Sequence, residues 1–559
     1  MSMFLAWNMS AEILTVTNTN DSGTGSLRRM VEIANPGDSI IFDKSLTGKT
    51  INLQSDISIT NSNPISGKNA SVTISGANIS GAKSIDNLTF IQSGISNCIL
   101  VFNCNFSNYT GKFGAVYNSQ IINNCIFKNN GTQNIYMGGT AVYISDYVSP
   151  TITNCAFENN LTASKYGAIF ISGYSLETSI SDCIFNNNSS IGFADAGGAA
   201  ITMNGSSAPT YATITNCIFN NNRAIKAPGF LGSFFVGGGA ILIYSTISTI
   251  TNCTFNNNSV TDTISNSNPK KGGGGAIYYF FDDYSSYRAP TISNCSFNNN
   301  STTGIDGGGA IFISGSNFPI INCTFNDNNA TENGGAISGG NNIVKNCTFY
   351  NNSANNGGAI YNSKLSGNLF IYNKIMPDNI LNDAYKSTSQ GYNVYTSNQN
   401  TVFSQSTDYR YAGTQSLLVP LGNYGGDTPT MPINTSVLNW ETIVRRVPVS
   451  KDRTTDQRGF TLPTTGLLCA GSVEMQPNEH YTGINEIKKE SVNVYPNPTN
   501  DIIHFNLEEN LEVQLYDALG KLVKAQSGKV GSNEINIKDF PQGVYFLNVS
   551  GKATKIMKK

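Results

Sequence analysis

The stretch ITNCTFNNN at residues 250–258 contains the pattern that decides the fold of this chain. Its centre, Asn or Asp followed by Cys-x-Phe, recurs at intervals of 21 to 42 residues, and so short a repeat indicates one structural unit stacked on itself. The compact interval of 24 residues between Cys323 and Cys347 fits one coil of a β-solenoid. The nine cysteines of the pattern are Cys104, Cys125, Cys155, Cys183, Cys217, Cys253, Cys295, Cys323 and Cys347.

Each unit has two halves that are typical of strands. In the first half, Cys253 and Phe255 lie two positions apart, so they face the same side and point into a core. The second half is Gly-Gly-Ala-Ile followed by an alternating pair, in which Ile311 and Ile313 face inward and Phe312 faces outward. The unit is rich in Asn, Gly, Ile, Thr and Phe rather than in the residues of helical repeats, so we predict an all-β solenoid.

The pairing of Gly-Gly-Ala-Ile with Phe-x-x-Asn resembles the repeats of the polymorphic outer-membrane-protein family. This resemblance implies a right-handed, single-stranded parallel β-helix of the pectin-lyase type with an adhesive role. It is more specific for the fold than for the function, because one fold hosts many functions. The matching segments are residues 127–130, 255–258, 325–328, 349–352, 334–337 and 357–360.

Composition excludes several classes of function. The 559 residues are 39% hydrophobic, which is enough to bury a large core along a solenoid. Only 13% of them are charged and the net charge is −2, so we expect no nucleic-acid partner. No stretch approaches 18 apolar residues, so we expect no transmembrane helix.

The eleven cysteines are an odd number, so they cannot all form disulfides within the chain. Cysteines stacked in adjacent coils would lie roughly 4.8 Å apart with parallel side chains, which is wider at Cβ than a disulfide tolerates. We therefore predict a buried ladder of free thiols. The sequence lacks Cys-x-x-Cys, and His480 and His504 lie outside the repeats, so we expect no metal site.

Residues 25–34, with Ser26 as the cap, predict a short amphipathic helix that covers the open end of the core. This segment resembles the Ser-Leu-Arg-Glu-Ala-Ile motif of secreted bacterial β-helices, with Arg29-Met30-Val31 in place of Glu-Ala-Ile.

We divide the chain into residues 1–13, a signal-peptide remnant or disordered start; 14–90, an N-terminal cap and irregular coils; 91–372, regular coils; 373–475, the last coils and C-terminal cap; 476–490, a linker; and 491–559, a small β-sandwich.

Residues 491–559 contain Tyr-Pro-Asn-Pro, Leu-Tyr-Asp-x-x-Gly-Lys and Gly-Val-Tyr-Phe in that order. Together these motifs resemble a type A C-terminal sorting domain of the type IX secretion system. The resemblance implies that the secretion machinery of a Bacteroidota-type bacterium is a partner, and that the protein is secreted or attached to the outer-membrane surface. The residues that carry the signal are Tyr495, Pro496, Asn497, Pro498, Gly520, Lys521, Gly543 and Tyr545.

Two segments beyond the regular coils, residues 421–430 and 455–460, resemble the closing segment of the choice-of-anchor Q proteins, which ends their β-helices. The Ser-Pro-Ala-Ile-Asp element expected between them is absent, and Ser436-Val437-Leu438-Asn439 stands in its place. We interpret these segments as a structural cap.

The outward position after Gly-Ala-Ile or Gly-Ala-Val is our candidate ligand site. Stacked at roughly 4.8 Å per coil, nine such positions form a row on the order of 40 Å long. Exposed aromatic faces suit the apolar faces of sugar rings, so we predict a strip that binds polysaccharide or cell-surface glycan. The alternative is that these rings only stabilise the sheet by cross-strand stacking, or lie under loops. The aromatic positions are Tyr117, Tyr143, Phe170, Tyr278, Phe312 and Tyr361, and the other three hold Thr202, Leu242 and Ser338.

Long insertions lie beside the middle of this row, and in a solenoid such insertions usually mark the working face. We expect them to lie on both sides of the middle positions of the row and to leave those positions open to solvent. The insertions are residues 189–196, 223–236, 259–271 and 280–290.

An enzyme is the runner-up interpretation. Asp282 and Asp283 form the only adjacent carboxylate pair of the solenoid, and Arg288, Lys270 and Lys271 are close in sequence. These residues would serve a polysaccharide lyase or glycoside hydrolase, with calcium as the cofactor of a lyase. Paired carboxylates do not recur on one strand face at coil spacing, so we predict a non-catalytic monomer without a cofactor. A structural stalk is the third interpretation.

Overall fold

The fold is a long solenoid followed by a small separate unit. In the computed structural model the two units are Met1–Thr482 and Gly483–Lys559. The first is a right-handed parallel β-helix and the second consists of antiparallel sheets, so the predicted fold class is confirmed. The structure describes residues 11–111, 113–132, 141–145, 147–162, 166–173, 177–192, 196–205, 210–226, 236–262, 272–280, 290–376, 380–398, 401–451, 453–482, 494–495, 499, 501–507, 510–517, 522–549 and 552–558.

Each regular coil passes through four sheets, which we number in the order that the chain meets them. One coil, for example, contains Thr291–Ser293, Ser296–Asn298, Ser301–Thr302 and Ile311–Ile313 in the first to fourth sheets. Strands of successive coils pair in parallel, so equivalent residues of neighbouring coils lie side by side. Every side-chain position therefore becomes a row that runs along the solenoid.

The first and second sheets enclose two sides of the core. The first sheet contains Ile13–Val16, Ser39–Phe42, Ile65–Ser66, Ser84–Asp86, Leu100–Phe102, Ile121–Asn123, Thr151–Thr153, Glu177–Ser181, Thr210–Thr215, Thr246–Thr251, Thr291–Ser293, Pro319–Ile321, Asn342–Lys345, Ser363–Ser366 and Thr388–Ser389. The second contains Thr50–Asn52, Thr73–Ser75, Thr89–Ile91, Asn105–Ser107, Ile126–Lys128, Ala156–Glu158, Ile184–Asn186, Ile218–Asn220, Thr254–Asn256, Ser296–Asn298, Thr324–Asn326, Thr348–Tyr350, Leu369–Ile371, Val394–Tyr395 and Tyr409–Arg410.

The third and fourth sheets complete the coil. The third contains Gly131–Thr132, Leu161–Thr162, Ser189–Gly192, Arg223–Lys226, Ser259–Asp262, Ser301–Thr302, Asn329–Ala330, Ser353–Ala354, Lys374–Ile375 and the antiparallel Ile380–Leu381. The fourth contains Ile57–Ser58, Ile79–Ser80, Ile95–Ser96, Val116–Tyr117, Val142–Ile144, Ile169–Gly173, Ile201–Gly205, Ile241–Tyr244, Ile277–Phe280, Ile311–Ile313, Ile337–Gly339, Ile360–Tyr361 and Ala384–Tyr385.

Short elements lie outside these four sheets. Ala196–Gly197, Val236–Gly237 and Gly272–Gly273 form a small parallel sheet that we call the glycine sheet. The C-terminal unit has one sheet of Val494–Tyr495, Ile502–Leu507 and Gly531–Asn536 and another of Leu522–Gly528, Leu511–Asp517, Gly543–Val549 and Lys552–Lys558. The remaining elements are the helices Leu27–Ile33 and Trp440–Val444, the 3₁₀ turn Lys44–Leu46, and the antiparallel pair Arg445–Pro448 and Leu467–Cys469.

The core of the solenoid is a stack of phenylalanine rings, one per coil. Neighbouring ring centroids lie 4.7–5.1 Å apart and their planes are within 10° of parallel. The stack extends beyond the Cys-x-Phe pattern to Phe90 and Phe370, where Leu88 and Asn368 replace the cysteine. The rings are Phe90, Phe106, Phe127, Phe157, Phe185, Phe219, Phe255, Phe297, Phe325, Phe349 and Phe370.

All eleven cysteines are buried and free, as predicted. The thiol of Cys253 donates to the carbonyl oxygen of Thr251 at 3.2 Å, and the other thiols of the pattern repeat this contact two residues back. Burial raises the pKa of Cys98 to about 12. The thiols therefore serve as small, buried packing groups.

A buried ladder of asparagine amides runs along the turn after the second sheet. Each Nδ2 donates to the Oδ1 of the next rung at 2.9–3.0 Å and also to a backbone carbonyl. All the amides point the same way, so each rung satisfies the next. The rungs are Asn130, Asn160, Asn188, Asn222, Asn258, Asn300, Asn328, Asn352 and Asn373.

The ladder ends at a carboxylate. The last amide, Asn373, donates to Asp383 Oδ1 at 2.9 Å, and the backbone N–H of Ser397 donates to Asp383 Oδ2 at 2.9 Å. A carboxylate suits this end because it only accepts hydrogen bonds. A second, shorter ladder ends in the same way, since Asn368 donates to Asn393 and Asn393 donates to Asp408.

The N-terminal helix Leu27–Ile33 confirms the expected cap. The side chain of Ser26 accepts a hydrogen bond from the backbone N–H of Arg29, which is the geometry of an N-cap. Leu27 and Met30 face the core and join its apolar cluster. The helix therefore covers apolar side chains that would otherwise meet water at the first coil.

Replacing one ladder amide should destabilise the solenoid. In Asn258→Leu, the amide of Asn222 loses its acceptor and Asn300 Oδ1 loses a donor, and unsatisfied buried groups cost about 1–3 kcal/mol each. We expect the free energy of unfolding to fall by about 3 kcal/mol in equilibrium denaturation. Asn220→Leu is the matched control, because the Asn220 amide bonds Asn186 and Asn256 on the half-buried outer face, where water can replace both bonds. We expect it to cost less than about 1 kcal/mol. Similar losses in both variants would contradict a stabilising role for the ladder.

The carboxyl group at the ladder end predicts a pH dependence of stability. Burial raises the pKa of Asp383 from 3.8 to about 7, so the folded chain binds this proton more tightly than the unfolded chain does. The resulting stabilisation is full below about pH 4 and is lost as the pH rises through about 7. We expect Asp383→Asn, which does not titrate, to show a smaller drop in melting temperature between about pH 5 and pH 8 than the parent protein. Equal drops would contradict this assignment.

Candidate functional site

The first group of aromatic side chains lies on the outer face of the fourth sheet, at its N-terminal end. The rings of Tyr117 and Tyr143 stack with centroids 5.4 Å apart, and Tyr143 stacks on Phe170 at 5.2 Å. Phe113 stacks on Tyr117 at 4.7 Å, and Tyr166 meets Phe170 edge-on at 4.4 Å. These five residues, which we call the N-terminal aromatic group, form a continuous aromatic surface.

Sequence reasoning missed two members of this group. Phe113 and Tyr166 each occupy the first position of a Gly-Gly-Ala-Ile repeat, where the other coils have glycine. The replacement of that glycine by an aromatic residue is the sequence feature that could have predicted these two members. The position adjoins the outward strand residue, so the added ring extends the aromatic surface sideways.

The rest of the row is divided into two smaller groups. Tyr278 and Phe312 stack with centroids 4.7 Å apart. Farther along, Tyr361 packs against Tyr385 at 5.9 Å, and Lys386 Nζ lies 5.4 Å from the Tyr361 ring centroid. The predicted residues therefore share one face, but they do not form one uninterrupted ladder.

The gap in the row is covered rather than open. Thr202 and Leu242 occupy the middle positions, and both side chains are buried. The backbone of the glycine sheet passes directly over them: Thr202 Oγ1 donates to the carbonyl oxygen of Gly197, and a Cβ added at Gly197 would lie 2.9 Å from Leu242 Cδ2. The glycine sheet, which lies at the C-terminal ends of three insertions, thus covers these middle positions, which we expected to be open.

A small apolar layer holds this cover in place. Ala196 and Val236 of the glycine sheet pack against Ala224 and Val260 of the third sheet. The third-sheet strands Ser189–Gly192, Arg223–Lys226 and Ser259–Asp262 are longer here than in other coils, so the insertions continue the regular pairing outward. The described parts of the insertions are therefore ordered extensions of the coils.

Burial separates the predicted ligand residues into two kinds. Phe170 and Tyr278 are only 5% and 6% exposed, so a sugar ring has little access to them. Tyr117, Tyr143 and Phe312 are half-buried and show one side to solvent, as does Tyr361 in the third group. The available binding surface is therefore concentrated at the two ends of the row.

Tyr278 is the most strongly perturbed phenol on this face. Burial raises its pKa, and the nearby Asp306 and Tyr244 raise it further. Asp306 is held beside it, since its Oδ2 accepts a hydrogen bond from the backbone N–H of Gly272 at 2.8 Å. The Tyr278 hydroxyl therefore stays protonated, and this buried ring serves as a packing surface.

The residues of the enzyme interpretation, Asp282, Asp283, Arg288, Lys270 and Lys271, lie outside the described residues. Within the part of the chain that the structure describes, no group of three or more His, Cys, Asp or Glu side chains is arranged to hold a metal ion. Chemistry at these positions stays a prediction.

Residues 417–482, which we call the strap, run back along the outer face of the second sheet. Asp427 Oδ2 accepts from Asn252 Nδ2 at 2.8 Å, and Gln457 Nε2 donates to the carbonyl oxygen of Cys295 at 3.1 Å. Its apolar residues also pack on the last coils. The two predicted cap segments therefore line the side of the solenoid.

Charged residues brace the strap internally. The guanidinium group of Arg458 is fully buried and pairs with Asp456 at 2.9 Å and with Glu479 at 2.7 Å. Arg445 pairs with the buried Glu474 at 2.7 Å. Glu479 belongs to the segment predicted as a linker, so residues 476–482 of that segment are part of the strap instead.

The C-terminal unit contains the predicted sorting residues. Tyr545 is buried, and its hydroxyl donates to the carbonyl oxygen of Pro541 at 2.8 Å. Tyr495 is half exposed and lies beside His504, with ring centroids 5.8 Å apart. Gly543 begins the strand Gly543–Val549. The other sorting residues, Pro496, Asn497, Pro498, Gly520 and Lys521, lie outside the described residues.

Comparisons with known proteins match two parts of the chain. Residues 493–559 match the secretion system C-terminal sorting domain, and residues 252–279, 322–340 and 346–363 match the Chlamydia polymorphic membrane protein repeat. No curated protein matches the chain. One similar solved structure is a mannuronic-acid-specific polysaccharide family 6 lyase from human gut microbiota, at 11% identity and a TM-score of 0.27 over 66% of this chain and 92% of that one. That likeness is too low to indicate a shared activity.

These findings define the class of protein and its destination. The chain is a repeat protein of the right-handed parallel β-helix class with polymorphic-membrane-protein repeats. Its C-terminal unit is a sorting domain of the type IX secretion system, which places the protein outside the cell or on its surface. Among the described residues, no helix is long and apolar enough to cross a membrane. The resemblance of residues 421–430 and 455–460 to a closing segment stays a prediction.

Removing rings from the two kinds of position should have different costs. Tyr278→Ala empties a buried site, and we expect the free energy of unfolding to fall by about 3 kcal/mol. Tyr117→Ala removes a half-buried ring and should cost only about 1 kcal/mol. Chemical denaturation of the two variants measures both values. A larger loss for Tyr117→Ala would contradict the division into packing and surface rings.

Proposed function

We propose that this protein is a non-catalytic, cell-surface adhesin that binds polysaccharide or cell-surface glycan through the outer face of the fourth sheet. The observation that carries the proposal is the N-terminal aromatic group, in which half-buried rings stack into one surface. Aromatic faces pack against the apolar faces of sugar rings, and rings already fixed by stacking lose little conformational entropy on binding.

The location of the protein supports this proposal. A chain carried outside the cell by its sorting domain meets the glycans of its own surface, of neighbouring cells and of the surroundings. Tyr117 also offers a polar contact beside the rings, because its hydroxyl lies 3.3 Å from Ser145 Oγ. The combination of an aromatic surface with hydroxyl groups at its edge is suited to a polyhydroxylated ligand.

A glycan array probed with the full-length protein tests the proposal. We expect binding to a restricted set of glycans, and a loss of at least about tenfold in affinity in the double variant Tyr117→Ala with Tyr143→Ala, equivalent to about 1.4 kcal/mol. These positions are chosen because their substitution leaves the buried core intact. Tyr147→Ala is the matched control, since it removes a tyrosine ring that is 81% exposed.

Three outcomes would contradict the proposal. Unchanged binding in the double variant would place the ligand elsewhere. Release of unsaturated products from alginate or pectin would favour the lyase interpretation, with Asp282, Asp283 and Arg288 as the residues to test next. Absence of both binding and turnover would favour a structural stalk.

A further inference from the structure

The contact between the strap and the corner of the first and second sheets contains buried oxygen atoms without partners. Within the described part of the chain, no group forms a hydrogen bond with Asn294 Oδ1, Asn322 Oδ1, Ser296 Oγ or Thr430 Oγ1. Ser296 and Thr430 are fully buried, and Asn322 is 8% exposed. Unsatisfied buried polar atoms are costly, so four in one contact require an explanation.

The neighbouring N–H groups are already used. Gln457 Nε2 donates to Cys295 O, Thr428 Oγ1 and Pro429 O at 3.0–3.3 Å. Asn322 Nδ2 donates to a strap carbonyl oxygen at 3.2 Å, which fixes the orientation of that amide with its oxygen unsatisfied. An amide oxygen can only accept, so these atoms need either a new donor or a cation.

A carboxylate lies at the same corner. Asn252, Asn294 and Asn322 occupy equivalent positions in three successive coils, and each has a left-handed backbone with φ near 53°. Asp427 contacts Asn252, and the next strap residue, Thr428, donates to the backbone oxygen of Asn294 at 3.1 Å. The strap therefore brings one negative charge within about one coil of the unsatisfied amide oxygen of Asn294 and about two coils of that of Asn322.

The spacing of the coils suits a calcium ion. The core rings of these three coils lie 4.7 and 4.9 Å apart, so equivalent oxygens on adjacent coils are separated by a similar distance. Calcium binds oxygen at about 2.3–2.6 Å, and twice that length spans one coil. It accepts amide, hydroxyl and carboxylate oxygens in flexible geometry, which are the groups found here.

We propose that one calcium ion binds at this corner, held by the amide oxygen of Asn294 and by the carboxylate of Asp427, with the amide oxygen of Asn322 and the hydroxyls of Ser296 and Thr430 farther along the same contact. The ion ties the strap to the coil of Asn294 and leaves the fourth sheet untouched. With a single charged ligand, the affinity should resemble that of extracellular calcium modules, with a dissociation constant of about 10⁻⁴ to 10⁻³ M. This role is structural and separate from the cofactor of the lyase interpretation.

Calcium titration of the full-length protein, by calorimetry and by melting temperature in CaCl₂ or EDTA, tests this site. We expect saturable binding and a higher melting temperature in calcium, because an ion that binds only the folded chain stabilises it. Asn294→Gly and Asp427→Asn should each weaken binding at least about tenfold, about 1.4 kcal/mol. Glycine keeps the left-handed backbone of position 294 without strain.

Asn216→Gly is the matched control, since Asn216 has the same corner position and φ of 54° in a coil before the strap. It should bind calcium like the parent protein. Absence of saturable binding up to about 10 mM calcium, above the usual extracellular range, would overturn the proposal. An equal loss in Asn216→Gly, or a water molecule instead of an ion in a crystal grown with calcium, would overturn it as well. The test does not measure glycan binding through Tyr117 and Tyr143, so the calcium proposal and the glycan proposal can fail independently.

Discussion

The structure depends on one constraint, which is that equivalent residues of neighbouring coils must stack at a single spacing. Phenylalanine rings 4.7–5.1 Å apart satisfy it in the core, and asparagine amides satisfy it in the turn. Both contacts are strongest when the partner is the same residue type. Each coil therefore favours the same residues at the equivalent positions of the next coil. Residues that break the pattern therefore mark the places where something other than stacking is required.

The strap shows how irregular segments exploit the regular surface. The middle residue of Cys-x-Phe faces outward, and its burial changes where the strap begins to cover it. It is an exposed isoleucine in Ile126, Ile184 and Ile218, and a buried Ser or Thr in Thr254, Ser296, Thr324 and Thr348. A flat row of small hydroxyl residues allows the strap backbone to approach closely and to bond with the coils, as Thr324 does with Gln457 and Ser472.

Sequence reasoning was successful where an interaction is local or repeated. The two-residue spacing of Cys and Phe predicts the inward face of the coils, and Ser26 with its apolar periodicity predicts the first helix. The same reasoning identified one face for the aromatic residues, but not which of them are covered. The cover over Leu242 depends on the path of the glycine sheet, which joins residues far apart in the sequence. The path of the strap could not be predicted from the sequence, because its contacts join residues more than 120 positions apart and often involve backbone carbonyls.

The asparagine ladder has a direction, because every amide donates toward the C-terminus and none donates back. The asparagine of an internal coil accepts from the coil before it and donates to the coil after it. Duplicating or deleting a whole coil therefore leaves no ladder amide without a hydrogen-bond partner. The last rung has no such freedom, since Asn373 needs the carboxylate of Asp383. The number of coils can therefore change during evolution, whereas Asn373 and Asp383 at the end of the ladder must be kept together. A family built on this ladder would vary in length by whole coils inserted before the same ending.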